Sequence, residues 1–447
     1  MYYRGVNYLV VGISKSGICA CELLLRLGAN CYIYDDFLND RTRDAIKKLN
    51  GIGAIFLNNQ QIEEKIGYFC AVVLSPGIPI DHPIALLAKS NGVRVMGELE
   101  LGSLFCKAPI VAVTGTNGKT TTVCMINEIL NESGFSSVVA GNIGTPLCSL
   151  APNLTVEDVA IIETSSFQLE TVHTYLPHVA VLLNVTPDHI NRHYTLENYQ
   201  FLKGRIFANQ RESEYAVVCA DDAVAMKLSE NVKSKRILFS IENNTAHCSI
   251  SSGNICFFSR PIMKVADLKL KQKHNVYNAL AAVSVSKLLG APNDAICRAL
   301  SSFRGPRHRI EWIRDINGVS YYNDSKATNV DASIKAIASM DRPTVVILGG
   351  KDKGYDYDDL FRAILESQVV HAVITGETRA MMVESATRVG FHDFTVCDDF
   401  EKSVRIAGMQ CAEGGAVLLS PATSSFDLFS GYEERGDAFC EIVEGLC

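Results

Sequence analysis

The sequence predicts an α/β fold made of three consecutive α/β domains with mainly parallel sheets. Short apolar runs of strand length alternate with longer segments of helical period, as in residues 8–11, 17–27 and 31–34. Parallel strands joined by helices produce this alternation, because each strand is buried on both faces and each helix covers one face of the sheet. The first βαβ unit therefore begins at the start of the chain.

The same alternation begins twice more along the chain. A buried-type strand is predicted at residues 110–113 and another at residues 345–348, each after a break in the pattern. A length of 447 residues allows about three domains with their own cores. We predict domain boundaries near residues 98 and 305, which give three domains at residues 1–98, 99–305 and 306–447.

Composition excludes several classes of protein. Hydrophobic residues make up 47% and charged residues 20% of the chain, and the net charge is −7, so neither disorder nor a nucleic-acid or membrane partner is expected. The 15 cysteines are scattered and never spaced as CxxC, which argues against a disulfide framework or zinc site. No apolar run reaches the roughly 18 residues of a membrane helix. We expect a cytoplasmic protein that acts as a monomer.

A phosphate-binding loop follows the strand at residues 110–113. The sequence TGTNGKTT at residues 114–121 leads into a helical segment, and this order of strand, glycine-rich turn and helix N-terminus forms a cradle for phosphate oxygens. The alternative is a surface turn rich in small polar residues. The central domain is therefore predicted to resemble P-loop ATPases, with these ATP-binding residues: Gly115, Thr116, Asn117, Gly118, Lys119, Thr120 and Thr121.

Two later strands are followed by side chains of types that commonly bind metal ions. Glu163 ends one strand and His189 follows another, and in open α/β sheets ligands bind at the carboxyl ends of the strands. Glu163 is a candidate Mg²⁺ carboxylate and His189 a second ligand. The alternative is helix capping by Asp188 beside a solvated histidine. His193 is expected to be an ordinary surface histidine.

The turn GISKSG at residues 12–17 follows the first strand. Gly12 and Gly17 hold the first and third positions of a dinucleotide-binding fingerprint, but Ser14 replaces the middle glycine. Asp35, at the end of the second strand, can accept a hydrogen bond from a ribose hydroxyl. The N-terminal domain is therefore predicted to be Rossmann-like, while the missing glycine and the separate phosphate loop disfavour a nicotinamide oxidoreductase.

Nine motifs stand in order along the chain: GTNGKTT, AGNIGTP, ETSSFQLE, NVTPDH, HNVYN, PRHR, YNDSKATN, LGGKDKG and SPATSSFD. Together they resemble the Mur ligase family, the ATP-dependent amino-acid ligases of cytoplasmic peptidoglycan synthesis, over essentially the whole chain. The resemblance implies that residues 1–98 bind a UDP-type substrate, that residues 99–305 bind ATP, and that residues 306–447 form a Rossmann-like domain that binds the amino acid.

The stretch DSKATN at residues 324–329 resembles the D-glutamate-adding branch of this family, and the DNPR motif of the diaminopimelate- or lysine-adding branch is missing. The resemblance implies three substrates: ATP, D-glutamate and UDP-N-acetylmuramoyl-L-alanine. It implies that ATP phosphorylates the acceptor carboxylate to an acyl phosphate, which the amine of D-glutamate displaces, releasing ADP and phosphate. Activation is needed because a free carboxylate resists nucleophiles.

The resemblance also implies which residues hold ATP and two Mg²⁺ ions. Lys119 neutralises the β/γ-phosphates, Thr120 and Glu163 bind one Mg²⁺, and His189 binds the second. Asn142 contacts the substrate nearby. Lys203 matches a lysine that the family carbamylates into an anionic metal ligand, whereas by sequence alone it is a surface lysine on a helix.

Further positions are assigned by the same matches. Each of these positions has an alternative interpretation without the family context. For residues 75–78 it is a plain turn, and for Asn275 and Asn278 it is an exposed helix face. For Arg309 it is a salt bridge, and for Lys353 it is a place in a solvated charge cluster. Asp36 and Phe37 depart from the threonine and arginine expected there, which leaves the uracil contacts open, and Tyr432 replaces an expected phenylalanine. The assignments are Asn275, Asn278, Arg309 and Asp324 for ATP; Ser14, Lys15, Ser16, Gly17, Asp35, Ser75, Gly77, Asn142 and Gln168 for the UDP-substrate; and Lys326, Thr328, Lys353, Ser425 and Tyr432 for D-glutamate.

Three rival functions stay open on the sequence. Another Mur-type ligase would add a different amino acid, and a folylpolyglutamate-type ligase shares the chemistry but lacks the N-terminal UDP-type domain. A nucleotide-gated switch would bind ATP without releasing phosphate in response to an amino acid. The several metal-binding side chains at strand ends argue against the switch.

Overall fold

The computed structural model describes residues 3–352 and 354–446. It separates into two compact units, Met1–Phe303 and Arg304–Cys447, and each is described by itself. Among the described residues, no helix combines the length and apolar character needed to cross a bilayer.

The first sheet of the first unit has five parallel strands. Its strands are β1 Asn7–Val11, β2 Asn30–Tyr34, β3 Ile55–Phe56, β4 Ala71–Leu74 and β5 Arg94–Gly97, and its helices are α1 Lys15–Arg26, α2 Asp40–Gly51, α3 Asn59–Lys65, α4 Pro83–Ser90 and α5 Glu98–Ser103. The strand order is β3-β2-β1-β4-β5. The predicted boundary at residue 98 lies within this unit, where β5 meets α5.

The second sheet of the first unit has nine strands. They are β6 Ile110–Thr114, β7 Ser136–Gly141, β8 Asp158–Glu163, β9 Val179–Leu182, β10 Tyr215–Cys219, β11 Lys235–Ser240, β12 Cys248–Ser251, β13 Asn254–Phe257 and β14 Arg260–Lys264. The order β14-β13-β12-β11-β10-β9-β6-β8-β7 places β6 between β9 and β8. The phosphate loop therefore leaves the sheet beside the two strands whose ends carry Glu163 and residues 184–189.

Eight α-helices accompany this nine-stranded sheet: α6 Lys119–Glu132, α7 Leu147–Leu150, α8 Ser166–Leu169, α9 Ile190–His193, α10 Leu196–Gly204, α11 Ala223–Leu228, α12 Lys273–Leu288 and α13 Asn293–Ser302. In the polar segment at residues 242–258, β12 and β13 pair antiparallel as a hairpin, and β14 extends them.

The sheet of the second unit has six strands. They are β15 Glu311–Ile316, β16 Val319–Asn323, β17 Thr344–Gly349, β18 Val369–Thr375, β19 Phe394–Val396 and β20 Ala416–Leu419, accompanied by helices α14 Val330–Ala338, α15 Asp358–Leu365, α16 Arg379–Val389, α17 Phe400–Gln410 and α18 Tyr432–Glu444. The order is β15-β16-β20-β17-β18-β19, with only the β15–β16 pair antiparallel. The mainly parallel α/β architecture is confirmed.

A buried carboxylate joins the two sheets of the first unit. Glu100, in α5, accepts hydrogen bonds from the backbone N–H groups of His173, Thr174 and Tyr175 at 2.9, 2.8 and 3.1 Å. It also accepts from the Thr174 hydroxyl at 2.7 Å and from Arg94 at 3.2 Å. These contacts satisfy the acceptor oxygens of a fully buried carboxylate, which would be costly to bury without partners.

Replacing Glu100 by glutamine is expected to destabilise the protein by about 3 kcal/mol, because an amide cannot accept these hydrogen bonds with a full negative charge. Equilibrium unfolding in urea measures the loss. Glu132→Gln is the control, since Glu132 is exposed and pairs only with Arg298 and its midpoint should not move. Equal midpoints for both variants would contradict the role of Glu100.

Candidate active site

The phosphate loop at residues 115–118 joins β6 to α6. Gly118 has φ +84°, and a Cβ atom there would lie 2.3 Å from Asn278 Oδ1, so only glycine fits. The residue before the first turn of α6 is Gly118, which has no side chain to cap the helix, and a helix N-terminus carries the positive end of the helix dipole. The loop therefore has the form of a phosphate cradle.

Two lysines converge on one carbonyl oxygen of this loop. Lys119 Nζ and Lys203 Nζ donate to Gly115 O at 2.9 and 2.8 Å, and Lys119 also donates to Thr116 O at 2.9 Å. Lys203 is 2% exposed, so the surface-lysine alternative is wrong. Burial, with the charge of Lys119, lowers the pKa of Lys203 to about 7.

Tyr199 contacts both Lys203 and the phosphate loop. Its ring lies 4.9 Å from Lys203 Nζ, and its hydroxyl is 2.9 Å from Thr116 Oγ1. An aromatic face attracts a nearby cation, which offsets part of the cost of burying the ammonium. Tyr199 was not predicted as a site residue, because an aromatic on a helix gives no signal of its own in the sequence.

The carboxylate of Glu163 accepts hydrogen bonds from a hydroxyl and from a side-chain amide. Thr120 Oγ1 donates to Glu163 Oε2 at 2.6 Å, and Asn142 Nδ2 donates to Glu163 Oε1 at 2.7 Å. A hydroxyl and a carboxylate are the hard oxygen ligands that Mg²⁺ prefers, with water filling its other positions. Within the part of the chain described, no three His, Cys, Asp or Glu residues cluster as a metal site. The donor set therefore fits Mg²⁺ bound together with phosphate.

His189 lies on the neighbouring segment with an unusual backbone. Its φ of +51° is in the left-handed region, and its ring is 4.9 Å from the ring of Phe167, in the segment that follows Glu163. Asp188 accepts a hydrogen bond from the His189 N–H at 2.9 Å. The fold therefore brings the segments of both predicted metal ligands together, while the role of His189 stays a prediction.

A cavity of about 570 Å³ adjoins the phosphate loop and is lined by Asn117, Gly118 and Asn278 among others. Asn275 and Asn278 are buried, so the exposed-face alternative is wrong. The amide of Asn278 donates to Asn275 Oδ1 at 3.3 Å. The other residues that line the cavity were not predicted as site residues: Leu183, Asn184, Cys219, Asp221, Asp222, Phe239, His274 and Tyr277. The rule that ligands bind at strand ends could have found Asp221 and Asp222, which follow β10.

The turn after β1 is held by backbone and carboxylate contacts. A Cβ at Gly17 would lie 1.9 Å from Gly12 O, so helix α1 packs directly against the turn. Asp35 accepts from the Ile13 N–H at 2.6 Å and the Phe37 N–H at 2.9 Å. Gly17 performs the close helix–strand packing expected of the third fingerprint glycine.

Gly17→Ala is expected to raise the KM for the UDP-substrate and to cost about 2 kcal/mol of stability, because the new methyl group forces α1 away from the turn. Steady-state kinetics and urea unfolding measure the two effects. Gly51→Ala is a matched control, since a Cβ there meets nothing within 4 Å. An unchanged KM in a folded Gly17→Ala protein would contradict a substrate role for this turn.

The other predicted UDP-substrate residues of this unit have different surroundings. Ser75 Oγ donates to Gly12 O at 2.7 Å and accepts from Ser14 at 3.3 Å, while Lys15 Nζ reaches Gly144 O at 2.9 Å. Gln168 is buried and caps α8 by accepting from the Ser165 N–H at 3.0 Å. The remaining predicted positions lie in α1 and in the loop after β4: Ser16 and Gly77.

The second unit holds the residues predicted to contact the amino acid and part of the nucleotide. Asp324 is buried and accepts from Ser420 Oγ at 2.8 Å, and burial raises its pKa to about 7. Lys326 Nζ lies 5.9 Å from the Tyr432 ring. The other predicted residues are Arg309, Thr328 and the buried Ser425, whereas Lys353 lies outside the described residues.

Arg435 is a buried cation that the sequence did not reveal, because the run EERGD at residues 433–437 resembles a solvated helix face. Its guanidinium donates to Ser325 Oγ and Ser325 O at 2.9 Å and to Thr423 O at 3.1 Å. Burial lowers its pKa to about 10. It connects the loops after β16 and β20, which carry Lys326 and Ser425.

Two family models match the chain, the Mur ligase middle domain over residues 113–286 and the Mur ligase, glutamate ligase domain over residues 308–423. A UDP-N-acetylmuramoylalanine--D-glutamate ligase from Caldanaerobacter subterraneus subsp. tengcongensis is 40% identical over 451 residues, covering 100% of both chains. The chain belongs to the Mur ligase family. A Bacillus cereus protein of the same name is 38% identical, covering 99% of this Mur ligase and 98% of that protein.

Solved structures agree at the level of the fold. UDP-N-acetylmuramate-alanine ligase MurC from Thermotoga maritima matches with a TM-score of 0.55 at 18% identity, covering 98% of this Mur ligase and 99% of that chain. MurF from Acinetobacter baumannii matches with a TM-score of 0.55 at 17% identity, covering 93% and 91%. At these identities the likeness concerns the mainly parallel α/β architecture.

Proposed function

We propose that this Mur ligase joins D-glutamate to UDP-N-acetylmuramoyl-L-alanine in the cytoplasm, consuming ATP and releasing ADP and phosphate, as a step of peptidoglycan precursor synthesis. The observation that carries the proposal is the 40% identity, over the whole of both chains, to a protein named for this reaction. The stretch DSKATN at residues 324–329 supports D-glutamate as the amino acid.

The phosphate loop binds and neutralises the triphosphate. The N–H groups of the first turn of α6 and the ammonium of Lys119 face the same anion, and Lys119 is held ready by Gly115 O and Thr116 O. Phosphoryl transfer needs two anions to approach, so fixed positive charge and positioning provide most of the rate. The acceptor carboxylate attacks the γ-phosphorus, and the amine of D-glutamate then attacks the acyl phosphate carbon and expels phosphate.

Thr120 and Glu163 would hold one Mg²⁺, which supplies charge neutralisation between phosphate oxygens when bound. His189 and a carbamylated Lys203 would hold a second, so that two Mg²⁺ ions serve the site. Asn142 fixes the orientation of Glu163 through its 2.7 Å hydrogen bond and presents the rest of its amide to the substrate. Each of these residues lies in the first unit.

The remaining assignments follow the sequence matches. Asn278, which lines the cavity beside Gly118, and its hydrogen-bond partner Asn275 bind adenine, and the turn after β1 binds the UDP portion of the acceptor. Arg309 and Asp324 contact the nucleotide. The D-glutamate residues are Lys326, Thr328, Lys353, Ser425 and Tyr432, and the enzyme acts on small molecules as a monomer.

The decisive experiment measures phosphate release from Mg·ATP and UDP-N-acetylmuramoyl-L-alanine with D-glutamate, L-glutamate, L-alanine or meso-diaminopimelate. We expect release with D-glutamate alone, together with a product whose mass equals the acceptor plus one glutamyl residue. Glu163→Ala protein provides the background rate. Release with another amino acid would overturn the D-glutamate assignment, and no release from a protein that binds ATP would favour the nucleotide-gated switch.

A further inference from the structure

His193 is buried, contrary to the surface position expected from the sequence. Its side chain is fully enclosed, with Nε2 2.9 Å from Ser166 Oγ and Nδ1 3.1 Å from Glu170 Oε1. The Nδ1 contact is less well aligned than a regular hydrogen bond. A neutral imidazole has one donor and one acceptor nitrogen, so Nδ1–H facing the carboxylate leaves Nε2 to accept from the serine hydroxyl.

Arg192, the residue before His193, also contacts Glu170. Its Nη2 donates to Glu170 Oε2 at 2.6 Å and to Ile78 O at 3.1 Å, and its guanidinium lies 5.1 Å from the centre of the Phe167 ring. Ile78 belongs to the loop after β4 that is predicted to bind the UDP-substrate. The short helix α9 is therefore tied to α8 on one side and to the substrate loop on the other.

Helix α9 is bounded by two strained residues. His189 has φ +51° and Tyr194 has φ +67°, and non-glycine residues in the left-handed region each cost about 1–3 kcal/mol unless the surroundings impose that conformation. His193 N donates to His189 O at 3.1 Å, and Tyr194 N to Ile190 O at 2.7 Å. A buried anchor within the turn offsets this strain.

The side chain of His189 is half exposed and has few fixed contacts of its own. Its ring packs 4.9 Å from Phe167, whose ring also lies 5.3 Å from His193. Phe167 thus stands between the two imidazoles. The direction of the His189 ring depends on the backbone of the turn and on Phe167, and His193 contacts both.

We propose that His193, held by Glu170 and Ser166, is a positioning residue that fixes His189 for metal binding. It touches no substrate atom. It stabilises the left-handed backbone conformation of His189 at the start of α9 and packs against Phe167, which contacts the His189 ring. Arg192 connects the same turn to the UDP-substrate loop. This inference rests on the proposed role of His189 as a Mg²⁺ ligand.

The test titrates Mn²⁺ in the presence of ADP by electron paramagnetic resonance and follows the second of the two proposed sites, the one assigned to His189, so no turnover is required. His193→Phe keeps the ring volume but removes both nitrogen contacts, and we expect it to weaken Mn²⁺ binding about tenfold, the lower end of the effect of supporting residues at metal sites. His193→Gln keeps one polar group and is expected to recover part of the affinity. His371→Phe, at a half-buried histidine bonded to Thr395 in the second unit, should have no effect.

Stability is measured on the same proteins by urea unfolding. Mn²⁺ affinity within twofold of wild type in both His193 variants would overturn the proposal, even if their unfolding midpoints fell. If His193→Phe does not fold, Ser166→Ala removes the Nε2 contact, and Glu170→Gln weakens the Nδ1 contact together with the ion pair to Arg192. Both variants are expected to weaken Mn²⁺ binding, less than additively when combined. Unchanged Mn²⁺ affinity in those two variants would overturn it equally.

The role of His189 as a metal ligand is tested separately. His189→Ala is expected to weaken Mn²⁺ binding at least as much as His193→Phe, and an unchanged affinity would show that His189 is not a ligand. A wild-type protein that binds Mn²⁺ and ADP but releases no phosphate with D-glutamate would overturn the proposed function, while leaving the comparison of His193 variants interpretable.

Discussion

Lys119→Ala protein is expected to release phosphate about a thousandfold more slowly than wild type, because a fixed charge on a transferring phosphoryl group contributes on this scale. The lysine is positioned before ATP arrives, since Gly115 O and Thr116 O each accept from its ammonium at 2.9 Å. Coupled phosphate release at saturating D-glutamate measures the effect. The loss should appear mainly in kcat, because the N–H groups of α6 still hold the nucleotide.

Lys65→Ala is the matched control for Lys119, because Lys65 lies in the last turn of α3, away from the phosphate loop. It should retain the wild-type rate. A Lys119→Ala protein with normal ATP binding and a rate within tenfold of wild type would show that this lysine does not stabilise the transferring phosphate.

Lys203→Ala is expected to lower the rate at least about a hundredfold, since it would remove a charged metal ligand. Carbamylation requires a neutral amine, and burial lowers the pKa of Lys203 to about 7, so part of it is neutral near neutral pH. Wild-type enzyme stripped of CO₂ should therefore lose activity and regain it on addition of bicarbonate. At fixed CO₂ pressure, reactivation should become faster as pH rises through about 7, where the ammonium loses its proton.

Lys203→Arg separates positive charge from carbamylation, because a guanidinium keeps the cation but does not become an anionic ligand. It should be as inactive as Lys203→Ala and insensitive to bicarbonate. Full activity in either variant, or a wild-type rate that does not change with CO₂, would refute carbamylation. Mass spectrometry under native conditions provides a second readout.

The phosphate loop and the fold class were predictable because their signals are local. A strand, a glycine-rich turn and a helix stand next to one another in residues 110–130, and the alternation of short apolar runs with helical segments continues through the chain. Gly118 also illustrates what was not predictable. Its need for glycine comes from Asn278, which is 160 residues further along the chain.

The environments of Lys203 and His193 could not be predicted from their own segments. Lys203 is buried because α10 crosses beneath Gly115, and His193 because Ser166 and Glu170 enclose it, contacts that only the tertiary fold supplies. Both residues were expected at the surface by local sequence. The rule that ligands bind at the carboxyl ends of parallel strands predicts Glu163 and His189. The same rule extends to Asp221 and Asp222, which follow β10 and line the cavity but were not predicted as site residues.

Asn278 has a consequence for nucleotide analogues. Its Oδ1 accepts from Thr122 at 3.3 Å and occupies the space beside Gly118. Its side chain lines the cavity where the base is proposed to bind, and its amide donates to Asn275. Any analogue that rotates this amide also moves an atom in contact with the phosphate loop. Selectivity among purines and affinity for the polyphosphate chain are then thermodynamically linked, and linkage is reciprocal. Inhibitors that exchange the base should be ranked with their phosphate groups attached, since base and phosphate contributions will not add.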